Sequence, residues 1–253
     1  MTDFKKTATV ILLAGLGFTG TSQAALWARG TDMVYDDVNK ITWAADGNLF
    51  QTESAGGVGV INEITTNGNW ILDTPNIYDS PENSGSYTVS SVDFNFRVGK
   101  MTWFGAQAWA NNLTLGGFTD WSLPTTVPAF ASYSPTGSQM GALYNQLING
   151  LNDGSGIAAS GTANSNLFIN LQNFEYWSVT ETEFDPNSAW SFDTSTGFQH
   201  PAYKNGMFYA LAVRSGDVAA VPVPAAVWLF LSGLMGVLSF NRRKNKTVNL
   251  TAA

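Results

Sequence analysis

The residues with the richest potential chemistry are carboxylates that crowd one tryptophan. Glu175, Glu181, Glu183 and Asp185 lie within a short stretch that also contains Trp177. Two carboxylates held a few ångströms apart beside an aromatic wall would suit glycoside hydrolysis. Carboxylates this near in sequence more often share a solvated strand or loop. A secreted carbohydrate-active hydrolase that uses the Glu181 region therefore stays as the alternative hypothesis.

Other catalytic and metal chemistry has little support. Asp36, Asp37 and Asp46 offer hard oxygen donors for calcium, but their spacing is not that of an EF-hand loop, so solvated turn acids are favoured. His200 is the single histidine. It lies in a predicted polar turn beside Pro201, without the glycine pattern of a nucleophile elbow. Since the chain has no cysteine, thiol nucleophiles and zinc–thiolate sites are excluded. We predict no catalytic residue and no cofactor, with calcium as the one candidate ion.

The residue types in the middle of the chain favour a binding function. Exposed aromatic faces stack on sugar rings, and carboxylate and amide oxygens accept hydrogen bonds from hydroxyl groups. Each aromatic residue taken alone is more often a core residue than a contact. The candidate ligand-binding residues are Trp177, Glu181, Asn187, Trp190, Asp193, Tyr203 and Tyr209.

The elements that must position these residues are predicted from periodicity. A hairpin over 33–43 and a half-buried strand over 92–98 follow from β-branched and alternating apolar residues. Apolar stripes at helical spacing predict helices over 102–113 and 138–149. Further strands are predicted over 176–179, 189–192 and 207–213. Two helices in the middle, with strands before and after, predict a single α+β domain.

The N-terminus has the layout of a secretory signal peptide. Lys5 and Lys6 precede an apolar run over 8–18, and small residues Ser22 and Ala24 follow. Small residues three and one positions before a bond are typical of signal-peptidase sites. We predict a signal peptide over 1–24, cut between Ala24 and Ala25.

The C-terminus has the layout of a membrane anchor. No ionisable residue occurs from 219 to 241, and the run 221–240 reaches the length of about 20 residues that a helix needs to cross a bilayer. Arg242, Arg243 and Lys244 follow directly. Positive charges are retained on the cytoplasmic side. These features predict a transmembrane helix within 221–246 and an extracellular domain over 25–220.

The charge of the chain between these ends excludes one class of partner. The two ends hold six of the 12 basic residues and one of the 19 acidic residues. Six basic and 18 acidic residues remain, so the net charge between the ends is about −12. Such a domain repels polyanions, and nucleic acid is not an expected partner.

The C-terminal apolar run begins with a proline motif and ends at basic residues. The motif is Val221, Pro222, Val223, Pro224 and Ala225, and Arg242 and Arg243 follow the run. This layout resembles the bacterial PEP-CTERM sorting signals in their Val-Pro-Leu-Pro-Ala form, with Val223 in place of the usual Leu. The resemblance implies processing near the proline motif by an exosortase, and transient anchoring in the inner membrane of a bacterium that makes exopolysaccharide.

Six motifs follow one another through the middle of the chain. They are Val34-Tyr-Asp-Asp37 with Ile41-Thr-Trp43 and Asp46, Met101-Thr-Trp103, Asp120-Trp-Ser-Leu-Pro-Thr125, Tyr176-Trp-Ser-Val-Thr-Glu181, Ala189-Trp190 with Gly197, and Ala212-Val-Arg-Ser-Gly-Asp217. In this order they resemble the DUF1566 or Lcl C-terminal domain family. The resemblance implies a C-type-lectin-like α+β fold and a surface or secreted binding or adhesion role. Ser122 stands where the family usually has Arg, which puts a local ion pair in doubt, and the family's frequent cysteines are missing.

Together these features predict an exported, non-enzymatic surface or matrix protein. It would bind exopolysaccharide or a cell-surface glycan, or mediate adhesion between cells. The secretion machinery and an exosortase would be its partners during export, and the C-terminal helix would contact the membrane until sorting. A structural envelope protein without a ligand is the third possibility.

Overall fold

The computed structural model describes residues 26–66, 69–127, 131–133, 135, 137–148, 156–157 and 164–218. Strands near both ends of this region form one antiparallel sheet. They are β1 (Leu26–Arg29), β2 (Met33–Asp36), β3 (Ile41–Ala44) and β12 (Val213–Ser215), in the order β1–β2–β3–β12. β2 and β3 confirm the predicted hairpin, and Asp36 pairs with Ile41 at its turn. Lys40 takes a left-handed φ of 56° there.

The second sheet holds most of the predicted ligand-binding residues. Its strands are β8 (Ser132–Tyr133), β9 (Glu175–Glu181), β10 (Ser188–Asp193) and β11 (Phe198–Tyr203), in the antiparallel order β8–β11–β10–β9. β9 and β10 confirm two predicted strands. β11 was not predicted, and the placement of His200 in a turn was wrong, because His200 pairs with Ser191 inside this sheet.

Two short ribbons complete the strands. β4 (Trp70–Leu72) pairs with β5 (Ser86–Thr88), and β6 (Phe94–Asn95) pairs with β7 (Lys100–Met101). The half-buried strand predicted over 92–98 is therefore wrong except at Phe94 and Asn95. Asp93 explains the difference: its carboxylate accepts a hydrogen bond from the backbone N–H of Ser90 and closes a 3₁₀ turn over Ser91–Asp93. Val92 points into solvent as a result.

Four α-helices occur among the described residues, two more than the sequence predicted. They are α1 (Leu49–Glu53), α2 (Gly59–Thr66), α3 (Trp103–Asn112) and α4 (Gln139–Ile148). Thr102 caps α3 by accepting a hydrogen bond from the N–H of Gly105. A Cβ at position 105 would lie 2.7 Å from the carbonyl oxygen of Asp93, so this position requires glycine. Over the described part of the chain, no helix is both long enough and apolar enough to cross a bilayer.

The predicted strand over 207–213 is largely an extended connection between the two sheets. Only Val213 belongs to a regular strand, β12. Before it, Phe208 forms an isolated bridge with Met101 and Tyr209 forms one with Tyr176. The carbonyl of Ala212 then accepts a hydrogen bond from Ala44 in β3. The segment pairs first with β7 and β9 and then with β3, so it connects the two sheets.

Two hydrophobic clusters form the core, one around α3 and one around α4. The cluster around α3 is rich in tryptophan, whereas the cluster around α4 contains only Trp43. Five tryptophans are fully buried: Trp43, Trp103, Trp109, Trp177 and Trp190. A buried indole N–H needs an acceptor. Trp103 donates to the carbonyl of Ser178 at 2.9 Å, and Trp177 donates to the carbonyl of Met101 at 3.0 Å. These reciprocal bonds join β9 to the start of α3.

An ion pair lies two residues before Ser122, the position that left a local ion pair in doubt. Asp120 accepts two hydrogen bonds from the guanidinium of Arg214, at 2.8 and 2.9 Å. The same guanidinium lies 4.0 Å from the ring centroid of Phe118. Ser122 instead pairs through its backbone with Val213, next to Arg214. β12 thus supplies the cation of the ion pair at Asp120.

We predict that Arg214→Gln raises the pKa of Asp120 towards its usual range. The hydrogen bond from Arg214 lowers this pKa, with burial opposing it. A lowered folded-state pKa gives stability that is present above the unfolded pKa and lost as the pH falls through the folded value. Because Asp120 is exposed, the loss at neutral pH should stay below about 1 kcal/mol. NMR titration of the carboxyl carbon and urea unfolding measure both effects. An unchanged pKa of Asp120 would contradict this prediction.

Candidate functional site

Three of the predicted ligand-binding residues lie together at one end of the second sheet. Glu181 ends β9, Tyr203 ends β11, and Asn187 precedes β10. Tyr203 pairs with Ser188, directly after Asn187. The antiparallel order of the strands explains this meeting, since the end of β9 and the end of β11 flank the start of β10.

A loop over 73–85 covers this end of the sheet. Asn76 organises the loop from within: its buried amide donates hydrogen bonds to Asp73 at 2.6 Å and to Asp79 at 3.0 Å. The loop is attached to the sheet through backbone donors. The N–H of Ile77 bonds the side-chain oxygen of Asn187 at 3.1 Å, and the N–H of Thr74 bonds the Glu181 carboxylate.

The turn between β9 and β10 is fixed by Asp185. One carboxylate oxygen accepts hydrogen bonds from the backbone and side-chain N–H groups of Asn187, both at 3.0 Å, and the other accepts from the Ser188 hydroxyl at 2.6 Å. The bond from Ser188 is the main cause that lowers the pKa of Asp185. The turn therefore presents a carboxylate that stays ionised at neutral pH.

Large side chains around this turn point into solvent. Ile77 is 56% exposed, Phe184 is 70% exposed and Tyr203 is 64% exposed. Together with Asp185 and Asn187 they form what we call the loop–sheet face. This face combines apolar and aromatic surface with oxygen acceptors on a hydrogen-bonded support. Phe184 and Ile77 were not predicted as site residues, because nothing in their sequence context marks them as exposed.

Glu181 is less available to a ligand than the sequence predicted. Its carboxylate accepts a hydrogen bond from the Lys204 ammonium at 2.7 Å, besides those from the N–H of Thr74. The Lys204 side chain is fully buried and the Glu181 side chain is 24% exposed. Glu181 is therefore engaged inside the protein and lies under the loop–sheet face.

Trp177 and Trp190 are core residues, which corrects their place among the ligand contacts. Both are fully buried. Trp177 donates its indole N–H to Met101, and Trp190 packs edge-on against Phe184 at 6.5 Å. A ring with no exposed face cannot stack on a sugar. Residues 176–178 and 188–192 are all buried, so both faces of β9 and β10 are covered there, which the sequence did not reveal.

Asp193 and Tyr209 lie away from the loop–sheet face. Asp193 ends β10 at the opposite end from Asn187 and accepts hydrogen bonds from the Ser195 and Thr196 hydroxyls, at 2.6 and 2.8 Å. Burial acts to raise the pKa of Asp193, but these bonds outweigh it and lower the pKa. Tyr209 is nearly buried, and its ring packs on Tyr176 at 5.5 Å. Neither side chain joins Tyr203 in one surface.

The predicted group of carboxylates around Trp177 does not assemble through β9. Glu175 begins this strand and Glu181 ends it. Six steps along a strand, at about 3.3 Å each, separate them by about 20 Å. Glycosidase carboxylates lie at most about 9.5 Å apart. Glu175 instead pairs with His200 Nε2 at 3.1 Å.

The calcium candidates are occupied by protein donors. Asp36 is fully buried and accepts hydrogen bonds from the N–H groups of Val38 and Asn39 and from the Gln146 amide. Asp46 accepts from Asn48, Thr52 and Asn170. Asp37 accepts from the indole of Trp27 at 3.3 Å. Among the residues described, no group of three or more His, Asp or Glu side chains could hold a metal ion.

A small groove lies elsewhere, between α2 and the end of α3. It has a volume of about 190 Å³, and its lining includes Glu53, Glu63 and Trp109. Trp109 donates its indole N–H to Glu53 at 2.9 Å, and burial raises the pKa of that carboxyl. Ligand pockets usually measure about 300 Å³ or more. The groove is too small for a polysaccharide segment.

The family model of the Lcl C-terminal domain matches residues 32–214, more than half of the chain. The protein belongs to the Lcl C-terminal domain family. No curated protein matches the chain. The match covers both sheets from β2 onwards and the loop–sheet face.

The predicted processing sites lie outside the described residues. Ala24 and Ala25 precede β1, and the proline motif with its apolar and basic segments begins after Val218, the last described residue. The signal peptide, the transmembrane helix and the sorting signal therefore stay predictions from the sequence.

We predict that Asp36→Ala destabilises this Lcl C-terminal domain by about 3 kcal/mol, because several part-buried donors lose their common, fully buried acceptor at once. Asp37→Ala is the matched control, and it should cost below about 1 kcal/mol, since its bond to Trp27 is exposed. Urea unfolding with and without calcium measures both. An increase in wild-type stability with calcium that Asp36→Ala abolishes would contradict the structural role assigned here.

We predict that His200 gives the domain a pH-dependent stability. The hydrogen bond to Glu175 raises its pKa above the usual 6.5, with burial opposing it. A raised folded-state pKa gives stability that is complete below the unfolded pKa and is lost as the pH rises through the folded value. Glu175 and Asp193 are the charged groups that favour the imidazolium.

NMR titration of the His200 ring and unfolding midpoints from pH 5 to 9, about the range over which histidine titrates, measure this effect. Glu175→Gln should lower the pKa of His200, and His200→Gln should remove the loss of stability at rising pH. A His200 pKa that does not respond to Glu175→Gln would overturn the assignment.

Proposed function

We propose that this Lcl C-terminal domain protein is a non-enzymatic binding protein that attaches to exopolysaccharide or a cell-surface glycan through the loop–sheet face. The exposure of Ile77, Phe184 and Tyr203 around Asn187 carries the proposal. Apolar and aromatic side chains left in water at one place mark interaction sites. The adjacent oxygens of Asp185 and Asn187 already accept hydrogen bonds from the protein. Each residue keeps a further lone pair that matches the hydroxyl donor of a sugar.

The family resemblance supports a C-type-lectin-like architecture for this domain. Small antiparallel sheets with helices beside them agree with that architecture. In our proposal the loop over 73–85 acts as the binding loop, because it is attached to the second sheet by backbone hydrogen bonds and not by packing alone. A fold does not specify a ligand, so the choice of a glycan rests on the side chains.

We further propose that the chain reaches the cell surface or the extracellular matrix. The support is the signal-peptide pattern before Ala25 and the similarity of 221–246 to exosortase sorting signals. The acidic charge between these ends suits a soluble matrix protein and disfavours nucleic acid. Exosortase, the secretion machinery and, before sorting, the inner membrane are the partners that this route implies.

Hydrolysis has less support than binding. Glu181 bonds Lys204 and the backbone of Thr74, so it has no free position beside a substrate. Asp73, the other carboxylate on Lys204, has a fully buried side chain. A substrate would have to displace the loop over 73–85 to reach Asp73, and Glu181 is only 24% exposed.

We predict that Tyr203→Ala and Phe184→Ala each weaken glycan binding about tenfold, equivalent to about 1.4 kcal/mol. An array of defined glycans finds the ligand, and calorimetry on the best hit measures affinity. Tyr133→Ala is the matched control. Tyr133 is 71% exposed, but it pairs with Phe198 at the other end of β11 from Tyr203.

Unchanged affinity in Tyr203→Ala and Phe184→Ala would reject the loop–sheet face as the binding site. A blank array, with and without calcium, would favour a structural envelope protein. Turnover of a polysaccharide that disappears in Glu181→Gln would replace binding with hydrolysis.

A further inference from the structure

Lys204 is a lysine with no contact to water. It follows β11 directly, and its side chain is fully buried. Its main chain is fixed as well: its N–H donates to the carbonyl of Asn187, and its carbonyl accepts from the N–H of Trp103 at the start of α3. Lysine is almost never fully buried unless it is paired. The partners of its ammonium group therefore decide what this position does.

The ammonium lies between two carboxylates and two aromatic rings. Nζ is 2.6 Å from Asp73 Oδ2 and 2.7 Å from Glu181 Oε2. The same atom lies 4.6 Å from the ring centroid of Trp103 and 5.9 Å from that of Phe104. Such surroundings exclude water and lower the local dielectric, so separated charges are costly there.

The two carboxylates differ in a way that assigns them different roles. The Asp73 side chain is fully buried, and its Oδ1 atom has no hydrogen-bond partner, whereas Oδ2 accepts from both Lys204 and Asn76. Burial raises the pKa of Asp73, against the opposing effect of Lys204. Glu181 is partly open to water and is held by the N–H of Thr74.

We propose that Lys204 and Asp73 condense into an intramolecular amide, an isopeptide bond, with Glu181 as the group that carries the proton. An amine and a carboxyl at contact distance in a site closed to water are oriented for reaction. Condensation also replaces two buried charges by a neutral amide, which removes the desolvation cost of the ion pair.

The step balances without an oxidant, a reductant or a cofactor. One ammonium proton passes to the Asp73 carboxylate, which leaves a neutral amine and a neutral carboxyl. The Nζ lone pair attacks Cγ of Asp73 while Glu181 accepts a second proton from Nζ. The Cγ–Oδ2 bond then breaks, and Glu181 returns its proton to the departing oxygen. One proton stays on the amide nitrogen, and one water leaves past the exposed edge of Glu181.

The position of this bond would make it stabilise the fold. Asp73 and Lys204 are 131 residues apart in sequence, and the chain has no cysteine from which to form a disulfide. An amide here would tie the loop over 73–85 to β11 and close a long stretch of chain. Such closure removes conformational entropy from the unfolded state, as a disulfide does. The proposal does not depend on what the loop–sheet face binds.

Mass spectrometry of the denatured wild-type chain tests the proposal directly. The mass should lie below the sequence mass of the same termini by one water. Trypsin should fail to cleave after Lys204, and a branched peptide should join the Lys204 segment to the Asp73 segment. A full sequence mass with cleavage after Lys204 would show a structural ion pair only and overturn the proposal. Water loss confined to a linear peptide containing Asp73 would do the same.

Variants separate the proton carrier from general effects on folding. Glu181→Gln should keep the fold, measured by circular dichroism, yet leave most of the chain at the full sequence mass. Glu183→Gln is the matched control, an exposed neighbour, and it should condense fully. Condensation of Glu181→Gln to the wild-type extent would remove Glu181 from the mechanism. Lys204→Arg, which cannot form the bond, should show the full mass whether or not it folds.

Discussion

The burial of one positive charge constrains more of this structure than any other interaction. Moving an ammonium group out of water costs several kcal/mol unless partners surround it. Lys204 obtains these partners from three places: the loop through Asp73, β9 through Glu181, and α3 through the ring of Trp103. The backbone N–H of Trp103 also donates to the main-chain carbonyl of Lys204. Each element must reach the same point, so the relative positions of the loop, the second sheet and the helix are fixed together.

The buried tryptophans also fix the position of α3 relative to the second sheet. Trp103 and Trp177 exchange indole hydrogen bonds with backbone carbonyls of β9 and β7, which places the start of α3 across the second sheet. Aromatic rings fill this region, and both indole nitrogens have hydrogen-bond acceptors. A chain without cysteine thus obtains its long-range links from rings, carbonyls and one buried ion pair.

The loop–sheet face follows from this arrangement. The loop over 73–85 is attached from below, through Asp73 and through the backbone of Thr74 and Ile77, so its outer side chains remain in solvent. The turn that carries Asp185 is held by its own hydrogen bonds. A surface on such a support keeps its shape without a ligand, which reduces the entropy lost on binding.

The sequence by itself determined the hairpin of β2 and β3, the helices α3 and α4, the α+β class and the family, because local periodicity and ordered motifs carry that information. It could not show which aromatic rings are buried. Trp190 and Tyr203 occur on neighbouring strands with similar local patterns, yet one is buried and the other exposed. Only tertiary structure decided this, and only tertiary structure brought Lys204 to Asp73. Contacts between residues far apart in sequence depend on how whole elements pack, and no local pattern records that packing.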